Sequence, residues 1–499
     1  MIDSSKKNPF KVDFTDTGIA TNFVQSSKII IFGQIIKAIA TIFSTAFLAR
    51  ILSAEDFGII AICTSVTAIL ARLKDGGLST AVIQTQSISI QEASNIFWIN
   101  AAIGFSLMFF CVLISPSMAF MYSEPKLASV LIFLSTAYIF GGFGVQFDAL
   151  LRRRLDYTLI MIIEILTVTF AIIIACYMAL TGFGYWALVA LSILPVAGHL
   201  TLAAYASKWR PLFYSRKTNI LYLLKFGGIS LFASILATLT VSLVALVVGL
   251  IDGINGAGIY SRAIMIVGIF SAMFLIPISH LTQSSLSRFH GKSSKDSFDR
   301  LALSALQAIS IMAILTCMIF ILFSDLLATI ILGEGWTEVG SLIKLLAPIA
   351  IVEPVIYLLA CQLTAKGMPD IVLKLRIIDF IVVSFLIAMS FSFGIIPMII
   401  TYATGSACLR LPLFIFISFQ RLNLDFKKLI SCFLFPLFCA FLVTSVFLTF
   451  QNIVESYNGF IWQIFFLLLA FSLYGLLLLF NSQIRIWIFG LLRANNKLI

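Results

Sequence analysis

Apolar residues fall in blocks of about twenty along nearly the whole chain, separated by short polar segments. An apolar helix of that length crosses the hydrocarbon core of a bilayer. Fourteen such helices are predicted, over roughly 29–50, 56–72, 93–115, 127–149, 157–180, 184–206, 226–251, 257–280, 301–323, 339–363, 370–392, 395–418, 429–450 and 460–481. The first two are joined by a tight turn, Ser53-Ala54-Glu55-Asp56, followed by Phe57-Gly58. In the first, Gly33, Lys37, Thr41 and Ser44 share one small polar face while the rest is Ile, Phe, Leu and Ala. That face is expected to line a hydrated cavity, because a lysine at mid-membrane is turned toward protein or water.

Charge orients these helices. With the N-terminus inside the cell, twenty-seven of the 33 Lys and Arg fall on the cytoplasmic side. Only Arg50 and Lys126 fall outside, and Lys37, Arg262, Lys344 and Arg410 lie within spans. One missed span would invert this asymmetry downstream, so both termini are expected in the cytoplasm. The same bias accounts for the net charge of +11 better than nucleic-acid binding does. Composition agrees: 61% of residues are hydrophobic, 11% are charged, and the mean hydropathy is +1.08. Residues 1–27 have no apolar core, so the first span, not a cleavable signal peptide, is expected to direct insertion. The eight cysteines (Cys63, Cys111, Cys176, Cys317, Cys361, Cys408, Cys432, Cys439) form no CxxC or Cys/His cluster, so neither disulfides nor a metal site is expected.

The pattern repeats. Residues 246–263 (LVVGLIDGINGAGIYSRA) echo 48–61 (LARILSAEDFGIIA): helix end, acidic turn, glycine at 58 or 258, new helix. Lys28 to Gly33 resembles Lys225 to Gly228. The expected fold is an all-α polytopic membrane protein with two six-helix lobes in parallel repeat, residues 1–210 and 211–420. Residues 421–499 hold two appended spans and a cytoplasmic tail, and 207–225 is the expected linker between lobes. A stripe on span 7, Gly227, Ser230, Ser234, Thr238 and Ser242, repeats the polar face of span 1 without its charge.

Four motifs carry a family resemblance: Leu52-Ser-Ala-Glu-Asp-Phe-Gly58, Asp75 to Gln84 (DGGLSTAVIQ), Leu150 to Tyr157 (LLRRRLDY) and Gly258 to Ala263 (GIYSRA). In this order they resemble polysaccharide flippases of the O-antigen and colanic-acid/teichuronic-acid exporter type. These belong to the multidrug/oligosaccharidyl-lipid/polysaccharide exporter superfamily. The resemblance covers spans 1–12. It implies a V-shaped, two-lobed transporter that moves undecaprenyl-diphosphate-linked oligosaccharide to the outer leaflet by alternating access. Relatives that flip the peptidoglycan precursor carry cations on spans 1, 2 and 8, where this chain has Lys37, Arg72 and Arg262. Drug exporters of the superfamily carry an acidic residue in span 1, and this chain has none there.

Each candidate has a structural alternative. Lys37 either lines the cavity with Thr41 and Ser44 or pairs structurally. Arg262 either serves the site or reaches the interface, and Arg72 either serves it or anchors span 2. Arg410 either lines the cavity or pairs with Asp379 or Glu353. Glu353 stands before Pro354 at a helix break and either carries a proton or cation or holds a neighbouring Lys or Arg. Asp379, three residues after Arg376, reads first as an intrahelical partner. Glu164 is a further ion-coupling candidate, with no assigned partner. His199, His280 and His290 are scattered, and Gly141-Gly-Phe-Gly144 is a helix-packing motif, not a phosphate loop.

No nucleotide-binding or catalytic motif is present, so neither an enzyme nor a cofactor is expected. The leading reading is a flippase of the bacterial cytoplasmic (inner) membrane whose cations attract a lipid diphosphate. Proton or sodium coupling and a polysaccharide polymerase as partner are compatible with it. The alternatives are a cation-coupled exporter of drugs or metabolites, which requires an acidic main site, and a membrane scaffold, which needs no charge at mid-membrane.

Overall fold

The computed structural model describes residues 16–74, 88–154, 156–215, 228–286, 295–422, 424–449 and 460–479. Among these, every regular element is helical. The helices are α1 (Asp16–Ala49), α2 (Ala54–Leu73), α3 (Ile90–Met121), α4 (Lys126–Arg153), α5 (Tyr157–Leu180), α6 (Trp186–Ser207), α7 (Gly228–Ile251) and α8 (Gly253–Leu286). They continue with α9 (Lys295–Leu332), α10 (Thr337–Leu346), α11 (Ile349–Ala365), α12 (Pro369–Ser390), α13 (Ile395–Gly405), α14 (Leu411–Leu422), α15 (Phe426–Thr449) and α16 (Phe460–Leu478). Asp75 to Gln84, Lys225, Gly227, Arg288, His290 and both chain ends lie outside the described residues. The side chains of Ser230 and His280 do as well.

Helices occupy all fourteen predicted segments, with the tenth broken into α10 and α11 and the twelfth into α13 and α14. Ten of the described helices are long and apolar enough to cross a membrane, or eleven when α10 and α11, bent by 53°, count as one span. The described apolar part of α1 (Gly33–Ala49) and that of α16 (Trp462–Leu478) are shorter. Helix α12 is long enough but carries Asp370, Lys374, Arg376 and Asp379.

Local chemistry sets the starts of several helices. Ser53 caps α2 by accepting from the Asp56 amide at 3.2 Å, and the Asp56 carboxylate accepts from the Ser53 amide at 3.0 Å. The same reciprocal cap joins Ser89 and Glu92 at the start of α3. Each arrangement satisfies amides that the first turn leaves without an intrahelical partner. Exposed Ile162, Leu166, Phe170, Ile173, Tyr177 and Leu180 recur every three or four residues on α5. A continuous apolar stripe of that kind suits lipid, not water.

The described helices form two compact units, one drawn from residues 1–261 and 376–384, the other from 262–375 and 385–499. In the first, α4 packs on α3 and α6, α5 packs on α1 and α6, and α2 packs on α7. Phe97, Phe147 and Trp209 interlock edge to face with centroids 5.5 to 6.0 Å apart, within a core that includes Ile96, Leu150 and Ile160. The expected linker begins as a strap on α3. Asn95 exchanges two hydrogen bonds with the Ser215 backbone, at 2.7 and 2.9 Å, and Trp98 donates to the Leu212 carbonyl at 2.8 Å. Residues 216–225 of that segment lie outside the described residues.

Two glycines, Gly58 of α2 and Gly258 of α8, meet within this unit. A Cβ on Gly58 would fall on the Ile254 carbonyl, and one on Gly258 would fall on the Ala54 carbonyl. Each helix start therefore leans on the other through a glycine, an approach that only the missing side chain permits. In the second unit α9 is the hub. Its apolar stretch is 72% buried, against 22–44% in the other nine long spans. Ile311, Ile314, Leu315 and Met318 of α9 pack with Cys439, Ala440 and Val443 of α15 and Tyr474 of α16. Helices α15 and α16 thus belong to this unit's core.

Candidate functional site

Gly33 brings α1 close to α5: a Cβ there would come within 2.5 Å of the Met161 sulfur. One turn on, Lys37 reaches Glu164, three residues after Met161, and donates to its Oε2 at 2.6 Å. The two side chains are 28% and 20% exposed, so this ion pair is half-buried. The hydroxyls of the same stripe bond along their own helix, Thr41 to the Lys37 carbonyl at 2.8 Å and Ser44 to the Thr41 carbonyl at 3.0 Å. Thr41 is exposed and Ser44 buried.

A second pair lies beside the first. Arg152 Nε donates to Asp148 Oδ2 at 2.6 Å, and His199 Nε2 of α6 stands 3.5 Å from Asp148 Oδ1. Arg152 is also within electrostatic reach of Glu164. Lys37, Asp148, Arg152, Glu164 and His199 therefore form one ionisable cluster drawn from α1, α4, α5 and α6. Asp148 and His199 did not stand out in sequence. The available signal was the i, i+4 spacing of Asp148 and Arg152, which favours an ion pair on a helix.

The remaining cations are placed separately. Arg72 Nε donates to Thr238 Oγ1 at 3.0 Å, tying α2 to the polar stripe of α7. On that stripe Thr238 and Ser234 also donate to carbonyls of their own helix. Half-buried Arg262 donates from Nη1 to the Met265 sulfur at 3.3 Å. Lys344 is exposed on α10.

In the second unit Arg410 closes a π-helical turn, Ser406–Arg410, set between α13 and α14. Its Nη1 donates to Ser406 Oγ at 3.1 Å and its Nη2 to Glu353 Oε1 at 3.0 Å. The arginine side chain is 1% exposed and the glutamate 33%. Glu353 follows the Pro348 break and immediately precedes Pro354. Of the two partners open to Arg410, then, it meets Glu353. In the stretch of α12 that belongs to the first unit, Asp379 lies 3.4 Å from Arg376, both buried, as their spacing suggests. Among the described residues no group of three His, Cys, Asp or Glu is placed to hold a metal, and no disulfide joins the cysteines.

These features define a polytopic helical membrane protein whose intramembrane Lys37 and Arg410 meet carboxylates, an arrangement suited to a transporter. The model of the family described as polysaccharide biosynthesis protein matches residues 47–341, more than half of the chain. The chain belongs to that family. It is 25% identical to the lipopolysaccharide biosynthesis protein WzxC of Escherichia coli (strain K12) over 339 residues, 66% of this chain and 67% of that relative. It is 24% identical to the teichuronic acid biosynthesis protein TuaB of Bacillus subtilis (strain 168) over 305 residues, 60% of this chain and 62% of that relative. Its fold resembles the lipid II flippase MurJ in an inward closed conformation, with a TM-score of 0.69 and 12% identity over 92% of this chain and 98% of that one.

Proposed function

We propose that this chain is a flippase of the bacterial cytoplasmic membrane. It moves undecaprenyl-diphosphate-linked oligosaccharide from the cytoplasmic to the outer leaflet by alternating access, for a surface polysaccharide. Membership of the polysaccharide biosynthesis family and the flippase-like fold support this reading. The observation that carries it is Lys37: a partly exposed cation in the first span, held by a carboxylate that an incoming diphosphate can replace. In a medium of low dielectric such an exchange is strongly felt. Arg72 and Arg262 are the next candidates for the anion, with Thr41 and Ser44 for the sugars. Arg410, sealed against Glu353 and Ser406, serves first to hold the π turn in place.

In this reading fourteen spans cross the membrane, both termini are cytoplasmic, and residues 1–210 and 211–420 are parallel halves. The reciprocal contact of Gly58 and Gly258 supports the repeat. Glu164, Glu353 and Asp379 remain the candidates for coupling to protons or sodium. The drug-exporter alternative requires an open acidic site, whereas each of these carboxylates faces a cation.

The test is complementation in a strain lacking its own copy, reading surface polysaccharide alongside resistance to cationic drugs. Restored polysaccharide with unchanged drug resistance is expected. Drug resistance without polysaccharide would transfer the chain to the exporter class.

A further inference from the structure

A polar cavity lies where two spans of the second unit begin. The apolar stretch of α9 starts at Phe298 and that of α15 at Lys427. The cavity between them measures about 580 Å³, within the range of about 300–1,000 Å³ that is usual for ligand sites. Arg300 of α9 and Lys428 of α15 bring two cations to its wall, and Asp299 brings one carboxylate. Ser304 and Gln307 line it one and two turns further along α9. Among the described residues neither of these side chains has a hydrogen-bond partner in the protein, and no carboxylate pairs with Lys428. Leu303 and buried Cys432 join the two helices here, the thiol donating to the Leu303 carbonyl at 3.9 Å.

We infer that this cavity binds the head group of an anionic glycerophospholipid, at a site separate from the cations proposed for the substrate. Lys428 and Arg300 hold the phosphate, Ser304 and Gln307 donate to its ester and glycerol oxygens, and Asp299 accepts from the glycerol hydroxyls. Three features favour a lipid over a soluble phosphate. The cavity lies where the apolar stretches of both spans start, which is the depth of the head groups. Exposed Ile430, Leu434, Leu437 and Phe441 recur every three or four residues along α15 beyond it, a track for acyl chains. On the fourteen-span topology this end faces the cytoplasm, where basic pockets between spans take anionic head groups. Two cations against one carboxylate leave an excess of positive charge, which suits a singly charged anion better than a zwitterion.

The neighbouring cations have other places. Lys366 donates to the Arg421 and Leu422 carbonyls at 3.1 and 2.9 Å and stands 5.7 Å from the centre of the Phe298 ring, so it holds the end of α14. Lys427 is exposed on the same turn as Lys428 but does not line the cavity. A lipid held by both helices ties α15 to the hub helix α9. Because it binds the folded unit and not the unfolded chain, it stabilises the fold by mass action.

The experiment is thermal unfolding of the full chain in detergent at constant ionic strength, with native mass spectrometry to count bound lipid. The probes are dioleoyl phosphatidylglycerol, phosphatidylethanolamine with the same chains, and glycerol phosphate. Phosphatidylglycerol should raise the unfolding midpoint saturably, with a single tightly held lipid, and the other two should not. Lys428→Gln should weaken its binding about tenfold or more, and Gln307→Leu, which alters no charge, about twofold to tenfold. Lys428→Arg should keep most of the affinity. Lys427→Gln removes the same charge outside the cavity and should leave affinity within about twofold of the unaltered protein. Equal losses in Lys427→Gln and Lys428→Gln, with Gln307→Leu unchanged, mean general attraction to a basic surface and overturn the site. Absence of saturable stabilisation by phosphatidylglycerol overturns it as well. Equal stabilisation by phosphatidylethanolamine overturns recognition of an anion, and equal stabilisation by glycerol phosphate overturns the choice of a lipid. Transport is not measured, so none of these outcomes bears on the flippase reading.

Discussion

The Lys37–Glu164 pair allows its structural and functional roles to be separated, because exchanging the two charges preserves one role and destroys the other. Two unit charges about 4 Å apart interact by about 4 kcal/mol at an effective dielectric constant of about 20. Desolvation offsets part of that. Losing one partner costs about 3–5 kcal/mol in a buried pair and about 0–1 kcal/mol in an exposed one. With side chains 28% and 20% exposed, Lys37→Ala should lie between, at about 2 kcal/mol, the helix itself being undisturbed. Lys37→Glu adds repulsion from Glu164 and should cost more. The exchange Lys37→Glu with Glu164→Lys rebuilds the pair and should return stability to within about 1 kcal/mol of wild type.

The assay pairs thermal unfolding in detergent with surface polysaccharide in a strain lacking the native copy, with membrane abundance checked by blot. Lys37→Glu should abolish polysaccharide at normal abundance, and Lys37→Arg should keep part of it, since a guanidinium fork is not an ammonium point charge. The exchanged variant should be stable yet inactive, because its cation now sits on α5. If the exchange restores stability and polysaccharide together, the lysine only holds α1 to α5. If Lys37→Glu alone matches wild type at normal abundance, an electropositive recognition site built on this residue is refuted.

Three further outcomes follow. Gly58→Ala and Gly258→Ala, each placing a Cβ on a carbonyl of the opposite helix, should lower stability by about 1–3 kcal/mol in thermal unfolding, while Gly268→Ala, which meets open space, should not. Arg410→Met leaves a carboxylate facing the gap and should destabilise by about 3 kcal/mol, with much of the loss recovered in Arg410→Met/Glu353→Gln; equal losses in single and double variants would deny the coupling. Reporter fusions at Ser4 and Asn496 should both report the cytoplasm, and an outside signal from either would break the fourteen-span topology.

Much of the helical layout was legible because apolar blocks and caps are local. The turn at Ser53 reads as a helix start from its own four residues, and its reciprocal cap is there. What connects distant helices was not legible. Lys37 announces itself by being a charge in lipid, but nothing near it points to Glu164, 127 residues on. Arg410 had two possible partners because both Asp379 and Glu353 lie on neighbouring predicted spans, and only packing chooses between them. The π turn at Ser406–Arg410 was not legible either, since Ser-Ala-Cys-Leu-Arg has no residue type that an ordinary α-helix excludes. His199 looked isolated because the carboxylate it faces is on α4, not on its own helix.

An intramembrane cation faces two requirements that conflict. It has to attract the substrate anion, and it has to be neutralised when no substrate is present, because an uncompensated charge in lipid costs several kcal/mol. A permanent, sealed carboxylate meets only the second. Arg410 is of this kind, with its side chain 1% exposed and two acceptors around it. An exposed cation without a partner would meet only the first. On the proposed flippase reading Lys37 meets both, since its carboxylate is close enough to neutralise it and open enough to be replaced. That carboxylate is not alone, for the ionisable groups Asp148, Arg152 and His199 of α4 and α6 stand beside it.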